Sequence, residues 1–201
     1  MIRLESLREC TLPLVVLVTG MPGSGKSVVS EAAKRVGYSV VRMGDVVREI
    51  AAELGRQATD ESLGDVALCI RAEHGMDVVA RLTLHKACMD YRNTPIVVEG
   101  VRNLEELEFF KNHALKCYLV AVHASPQTRF SRLSTRGRSD DPRSWEDFVR
   151  RDLRELKMGL GSVIALADVV LINEGKTLEQ FVEEAAKVLS EILRRHNHAQ
   201  A

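Results

Sequence analysis

The sequence predicts an α/β domain with a five-stranded, mostly parallel sheet and helices on both faces. Three observations lead there. Five short aliphatic runs alternate with segments of helical spacing, the order that winds a parallel sheet. The first run, Leu14-Val15-Val16-Leu17-Val18, is apolar throughout, as a strand buried on both faces requires. It leads directly into the glycine-rich turn Gly20-Met21-Pro22-Gly23-Ser24-Gly25-Lys26-Ser27, with a helical segment after it. At 201 residues the chain fits one domain, residues 1–201, with room for a cap and a short lid.

The elements follow in order. Lys26 to Val36 has helical spacing and meets Gly37, a C-cap residue. Ser39–Arg42 reads as the second strand, and Asp45 to Leu54 as a helix stopping at Gly55. From Gln57 to Tyr91 the composition is helical, with expected breaks at Gly64 and around His74-Gly75, so residues 45–91 form a helical cap. Ile96-Val97-Val98 is the third strand, Asn103 to about His113 a helix, Leu115–Val122 the fourth strand, and Gln127–Leu133 the start of another helix. Asp141-Pro142 has the form of an N-cap followed by proline at the first helical position, predicting a helix to about Leu156. Asp168–Ile172 is the fifth strand, Thr177–Arg194 an amphipathic closing helix, and Arg194–His198 a frayed end.

Composition narrows the function classes. An apolar share of 45% and a charged share of 28% suit a soluble globular chain. A net charge of zero gives no global footprint for nucleic acid. The run Leu12–Thr19 is far too short to cross a bilayer and has no signal-peptide cleavage site, so a cytoplasmic protein is expected. Cys10, Cys69, Cys88 and Cys117 show no CxxC or zinc spacing, and they read as packing residues rather than a disulfide framework. His74, His85, His113 and His123 lack ligand spacing as well.

The turn at 20–27 satisfies GxxxxGK[ST], the Walker A phosphate loop, in the right strand–helix context. Glycines let successive backbone N–H groups face one anion. The following helix adds the positive end of its dipole. Lys26 supplies a cation for the β- and γ-phosphates, and the Ser27 hydroxyl a ligand for Mg²⁺. ATP with Mg²⁺ is therefore the expected cargo. The motif alone serves GTPases, motors, ATPases and small-molecule kinases alike, although no NKxD-type guanine-reading segment is present.

Three further segments narrow the choice. Met43-Gly44-Asp45-Val46-Val47-Arg48 follows the second strand, and Val98-Glu99-Gly100-Val101-Arg102 ends the third. Arg132, Arg136 and Arg138, with Asp140-Asp141, follow the fourth. With GMPGSGKS, EGVRNLEELEFF, HASPQTRF, RGRSDD and RRDLREL, residues 13–175 resemble the adenylate kinase and nucleoside monophosphate kinase superfamily of P-loop proteins. The chain looks closest to a mainly archaeal group of adenylate-kinase-related proteins. The resemblance implies a P-loop NTPase three-layer sandwich with strand order 2-3-1-4-5 and a short Arg-rich lid at about 135–143.

It also implies roles. Asp45 and Arg48 would grip an acceptor phosphate, joined by Arg102 and by one of Arg150, Arg151 and Arg154, of which Arg151 is chosen. Glu99 would hold the Mg²⁺ position with Ser27, or else orient Ser27 or Lys26. Arg132, Arg136 and Arg138 would stabilise the transferring phosphoryl alongside Lys26, and Asn173 would lie where the adenine base passes. Asp141 pairs with these arginines or caps a helix. Two features depart from the family: Glu99 stands where an aspartate is usual, and the lid is too short to form a separate small domain. The expected activity is phosphoryl transfer from MgATP to a small phosphorylated acceptor such as a nucleotide. Two alternatives stand beside it: hydroxyl phosphorylation of the dephospho-coenzyme A kinase kind, with Asp45 as base, and an ATPase or switch acting on a protein or RNA.

Overall fold

A computed structural model of the chain describes residue 7, residues 10–91 and residues 93–198. In chain order the elements are β1 (Val15–Thr19), α1 (Lys26–Val36), β2 (Ser39–Arg42), α2 (Met43–Glu53), α3 (Asp60–His74), α4 (Val78–Asp90) and β3 (Ile96–Glu99). Then come α5 (Leu104–Asn112), β4 (Cys117–His123), α6 (Pro126–Arg136), α7 (Trp145–Met158), α8 (Leu160–Ala165), β5 (Val169–Ile172) and α9 (Leu178–His198). The sheet order is β2-β3-β1-β4-β5, and every pairing is parallel.

The two-residue period of β1 explains the layers. Val15 and Leu17 pack with Val98, Leu119 and residues of α2, α4, α5 and α8. Leu14, Val16 and Val18 turn the other way, onto α1, Val120, Val122 and α9. A strand apolar at every position thus serves two cores at once. Because all strands run parallel, their C-terminal ends open on the same edge of the sheet, where ligands bind in such folds.

Several local expectations need correction. Gly64 does not break a helix; it lies inside α3, where an added Cβ would come within 2.9 Å of the Arg154 guanidinium. Close approach of that side chain, not a bend, explains the glycine. Asp141 caps no helix. Ser144 caps α7, its hydroxyl accepting from Asp147 N–H at 3.1 Å, while Asp141 pairs with Arg136. The short α8 was not expected, and α2 begins two residues before Asp45. The closing helix runs on to His198, with His196 buried on the same face as Leu189 and Ile192. Finally, Cys10 and Cys88 form a disulfide between the segment before β1 and α4, whereas Cys69 and Cys117 are free. No spacing rule connects cysteines separated by 78 positions.

Candidate functional site

The phosphate loop connects β1 to α1. Gly25 stands at the N-cap of α1 in the left-handed region, and no side chain bonds to the first amides of that helix. Val28 N–H donates to the Gly25 carbonyl at 3.0 Å, while the amides of Lys26 and Ser27 stay available to an anion. Gly20 has φ 142°, and a Cβ there would lie 2.3 Å from the Val122 carbonyl; one at Gly25 would lie 2.3 Å from Asn173 Nδ2. Only glycine fits either place. Ser24 Oγ, buried, has no hydrogen-bond partner among the described residues. Ser27 is exposed at the start of α1.

Lys26 Nζ donates to the Gly20 and Met21 carbonyls at 2.6 and 3.2 Å. Burial pushes its pKa down to about 8, against the pull of the Glu99 carboxylate. Glu99 ends β3 and accepts from Ser30 Oγ at 2.6 Å and Arg42 Nε at 3.1 Å, both on Oε2. Among the described residues no three or more His, Cys, Asp or Glu side chains gather as a metal cage. An exposed hydroxyl and one carboxylate lining the same cleft fit Mg²⁺, which takes few protein ligands and completes its shell with phosphate oxygens and water.

These groups line a cleft of about 970 Å³ that also carries Arg132, Arg136, Arg138 and Asn173. Arg132 donates to Asn173 O and Oδ1 at 3.0 and 3.2 Å, and Asn173 Nδ2 donates to the Ser24 carbonyl at 2.9 Å. Asn173 therefore ties β5 to the phosphate loop. Arg136 is held by Asp141, whose Oδ2 also accepts from Arg138 N–H at 2.8 Å. The Arg138 side chain is exposed at the cleft edge. Sequence reasoning missed Arg129, 4% exposed, which bonds the Pro22 carbonyl at 3.1 Å and both oxygens of Asp152 on α7. It braces the loop from behind.

Arg48, Arg102 and Arg151 line this cleft and also a smaller cavity of about 60 Å³ at the cap end. Arg48 pairs with Asp45 at 3.1 Å and faces Asp140 at 3.7 Å. Arg102 is set in place by its own N–H, donated to Glu106 Oε2 at 2.8 Å, and Glu106 is bound by Arg71 of the cap at 2.5 Å. Arg151 meets Asp60 at 3.1 Å and Asp140 at 3.6 Å; Arg154 meets Asp60 at 2.7 Å. Arg150 points away, 72% exposed and paired with Asp147. Both Arg151 and Arg154 thus face inward, together with Glu155, which is 3% exposed. Their i, i+3, i+4 spacing was the signal that could have found the set. Asp60 had none, since 94 residues separate it from Arg154.

Three buried polar atoms on this small cavity lack hydrogen bonds among the described residues: Arg71 Nε, Arg151 Nε and Glu155 Oε2. Arg151 Nε still lies 3.1 Å from Asp60 Oδ1 as an ion pair, whereas Arg71 Nε and Glu155 Oε2 each cost about 1–3 kcal/mol while without a hydrogen bond, which marks the cavity as built for polar contents. Burial alone would raise the Glu155 carboxyl, but Arg102, Arg151 and Lys26 outweigh it and hold the pKa below the usual carboxylate range.

Comparison with known proteins gives this geometry a family. Residues 16–155 match the family model described as an AAA domain. A UPF0200 protein from Hyperthermus butylicus is 50% identical over 179 residues, covering 89% of this chain and 95% of the relative. Another from Thermococcus gammatolerans is 41% identical over 191 residues, covering 94% and 100%. Among solved structures, a gluconokinase from Sinorhizobium meliloti 1021 superposes with TM-score 0.55 at 19% identity, covering 95% of this chain and 99% of that one. A shikimate kinase from Bacteroides thetaiotaomicron gives TM-score 0.59 at 16% identity, covering 90% and 98%. Likeness at such identities is one of fold. The chain belongs to the UPF0200 family and has a P-loop kinase-like fold.

Proposed function

We propose that the protein is an ATP-dependent phosphotransferase of the nucleoside monophosphate kinase type, which moves the γ-phosphoryl of MgATP to a small phosphorylated acceptor such as a nucleotide. One observation carries the reading: a phosphate loop and a cluster of three arginines, Arg48, Arg102 and Arg151, face one cleft. In-line transfer needs donor and acceptor anions held together, and a bare ATPase has no use for the second cluster.

In this reading Lys26 and the free backbone amides of the phosphate loop hold the donor phosphates, and backbone near Asn173 passes the adenine. Ser27, with Glu99 through water, would hold Mg²⁺, whose charge offsets that of the β- and γ-phosphates. Arg48, Arg102 and Arg151 orient the acceptor, whose phosphate oxygen forms the new P–O bond as the β–γ bridge breaks and ADP departs. Arg132, Arg136 and Arg138 neutralise charge on the moving phosphoryl. Lid closure excludes water. We place the protein in the cytoplasm with a small-molecule partner rather than nucleic acid; among the described residues no helix is long and apolar enough to cross a membrane.

The test is a transfer screen with radiolabelled ATP against nucleoside monophosphates, dephospho-coenzyme A and water alone. Label moving to a nucleoside monophosphate supports the reading. Vigorous hydrolysis that no acceptor diverts would sink it in favour of an ATPase or switch.

A second reading, a hydroxyl acceptor, is favoured by Asp45, whose half-exposed carboxylate faces the cleft. Asp45→Asn separates the two. With a phosphate acceptor, already ionised, the change weakens binding. With a hydroxyl acceptor kcat falls by about 10²–10⁴ while KM holds, the loss expected for a general base.

A further inference from the structure

Half of the residues lining the small cavity are charged, arginines and carboxylates together. Among its carboxylates, Asp60 pairs with Arg151 and Arg154, and Asp140 lies between Arg48 and Arg151. Glu155 differs. Its Oε2 lies 3.5 Å from Arg102 Nε, too far for a hydrogen bond, and has no other partner among the described residues. On the same lining, Arg71 Nε–H donates no hydrogen bond among the described residues, whereas Arg151 Nε is ion-paired with Asp60 Oδ1 at 3.1 Å. The cavity lining therefore holds one donor, Arg71 Nε, and one anionic acceptor, Glu155 Oε2, without a hydrogen bond among the described residues.

Those atoms prescribe complementary chemistry. The dianion of a phosphate monoester offers oxygens to the arginines but has no proton for Glu155, and it would set negative charge against a buried carboxylate. A neutral group carrying a hydroxyl or amino donor beside oxygen or ring-nitrogen acceptors satisfies both. The volume, about 60 Å³, has room for about four waters, comparable to one small ring. Arg48, Arg102 and Arg151 line both the cavity and the cleft, so an anion at the mouth and a neutral ring inside are compatible.

We infer that this cavity reads the neutral, donor-bearing part of the acceptor, with Glu155 Oε2 accepting a hydrogen bond from an acceptor hydroxyl or amino group. Glu155 thereby selects phosphate esters of hydroxyl- or amino-bearing rings over bare anions. This rests on the kinase reading for the position of the acceptor phosphate, yet binding alone tests it.

With the phosphate loop saturated by MgADP, calorimetric titration of AMP, ribose 5-phosphate and inorganic phosphate compares wild type with Glu155→Gln and Glu155→Ala. In the wild type at least one ester binds at least about tenfold tighter than inorganic phosphate, since only the ester brings a donor on a neutral ring, away from its anionic group. Glu155→Ala removes that advantage, while affinity for inorganic phosphate holds or rises as a negative charge is lost. Glu155→Gln, of nearly the same shape and still offering a carbonyl oxygen, keeps part of it. Thermal melting of each variant checks folding, and a Glu155→Ala protein that fails to fold leaves Glu155→Gln as the deciding variant. Three results overturn the inference: inorganic phosphate binding as tightly as either ester, equal losses for all three ligands on substitution, or no binding of either ester at millimolar concentration. Ester selectivity without phosphoryl transfer would remove the kinase reading and leave the pocket standing.

Discussion

Lys26 is where the chemistry of one residue can be checked most directly. Its amine rests on two loop carbonyls, at 2.6 and 3.2 Å, and burial brings its pKa to about 8. A polyanion favours the protonated amine, so nucleotide binding takes up a proton wherever the free amine is partly neutral. The sign follows: affinity for MgADP is steady below pH 7 and falls above pH 8, by up to about tenfold per pH unit. Lys26→Arg flattens the curve, because a guanidinium stays charged throughout. Calorimetry from pH 7 to 9.5 in buffers of different ionisation enthalpy measures both effects; a wild-type curve as flat as that of Lys26→Arg would exclude this linkage. The loop itself was legible from its residues, and so was its need for glycine. Arg129 was not, since nothing local in HASPQTRF says that this arginine turns inward beneath Pro22.

At the scale of elements, the lid and α7 work as a pair. Asp141 binds both Arg136 and the Arg138 N–H, folding residues 136–141 into a compact turn that leaves the Arg138 side chain exposed. Ser139 Oγ donates to the Ala58 carbonyl at 2.7 Å, bringing this turn against the cap. A side chain engaged only in the transition state affects turnover more than binding. Arg138→Lys keeps the charge but loses the planar fork. We expect kcat to fall at least about tenfold, roughly 1.4 kcal/mol of transition-state stabilisation, with ATP affinity unchanged. Steady-state kinetics with the acceptor found in the screen measures it, and an unchanged kcat would remove Arg138 from catalysis. The lid's arginines were visible as a cluster in the sequence. The start of α7 was misplaced because Asp141-Pro142 imitates a helix entry, while Ser144 supplies the cap that forms.

At the scale of the molecule, the Cys10–Cys88 disulfide joins the segment leading into β1 to the cap helix α4 across 78 positions. Closing so long a loop restricts the unfolded chain and stabilises the fold by about 4 kcal/mol. For a domain of this size that corresponds to roughly 12 °C in Tm. Melting with and without reductant should show that drop. Cys88→Ser should match the reduced wild type, and Cys69→Ser, at an exposed free thiol, should leave Tm within about 2 °C. Equal melting in both redox states would mean that the bond contributes no net stability.

The sequence alone determined the α/β class, the position of every strand to within two residues and the phosphate loop, together with the segments carrying Arg48, Glu99 and Arg102. These are local signals: a period of two or 3.6 residues, a glycine pattern, a motif at a strand end. Tertiary structure decided which charges meet. Asp60 reaches Arg154 across 94 positions, Arg71 reaches Glu106 across 35, and Glu155 lines the small cavity only because α7 turns that face inward. Gly64 looks like a helix break until the Arg154 guanidinium is seen against it. Periodicity records which face of an element is buried, but the partner of a buried charge depends on how distant elements pack, and no local pattern encodes that.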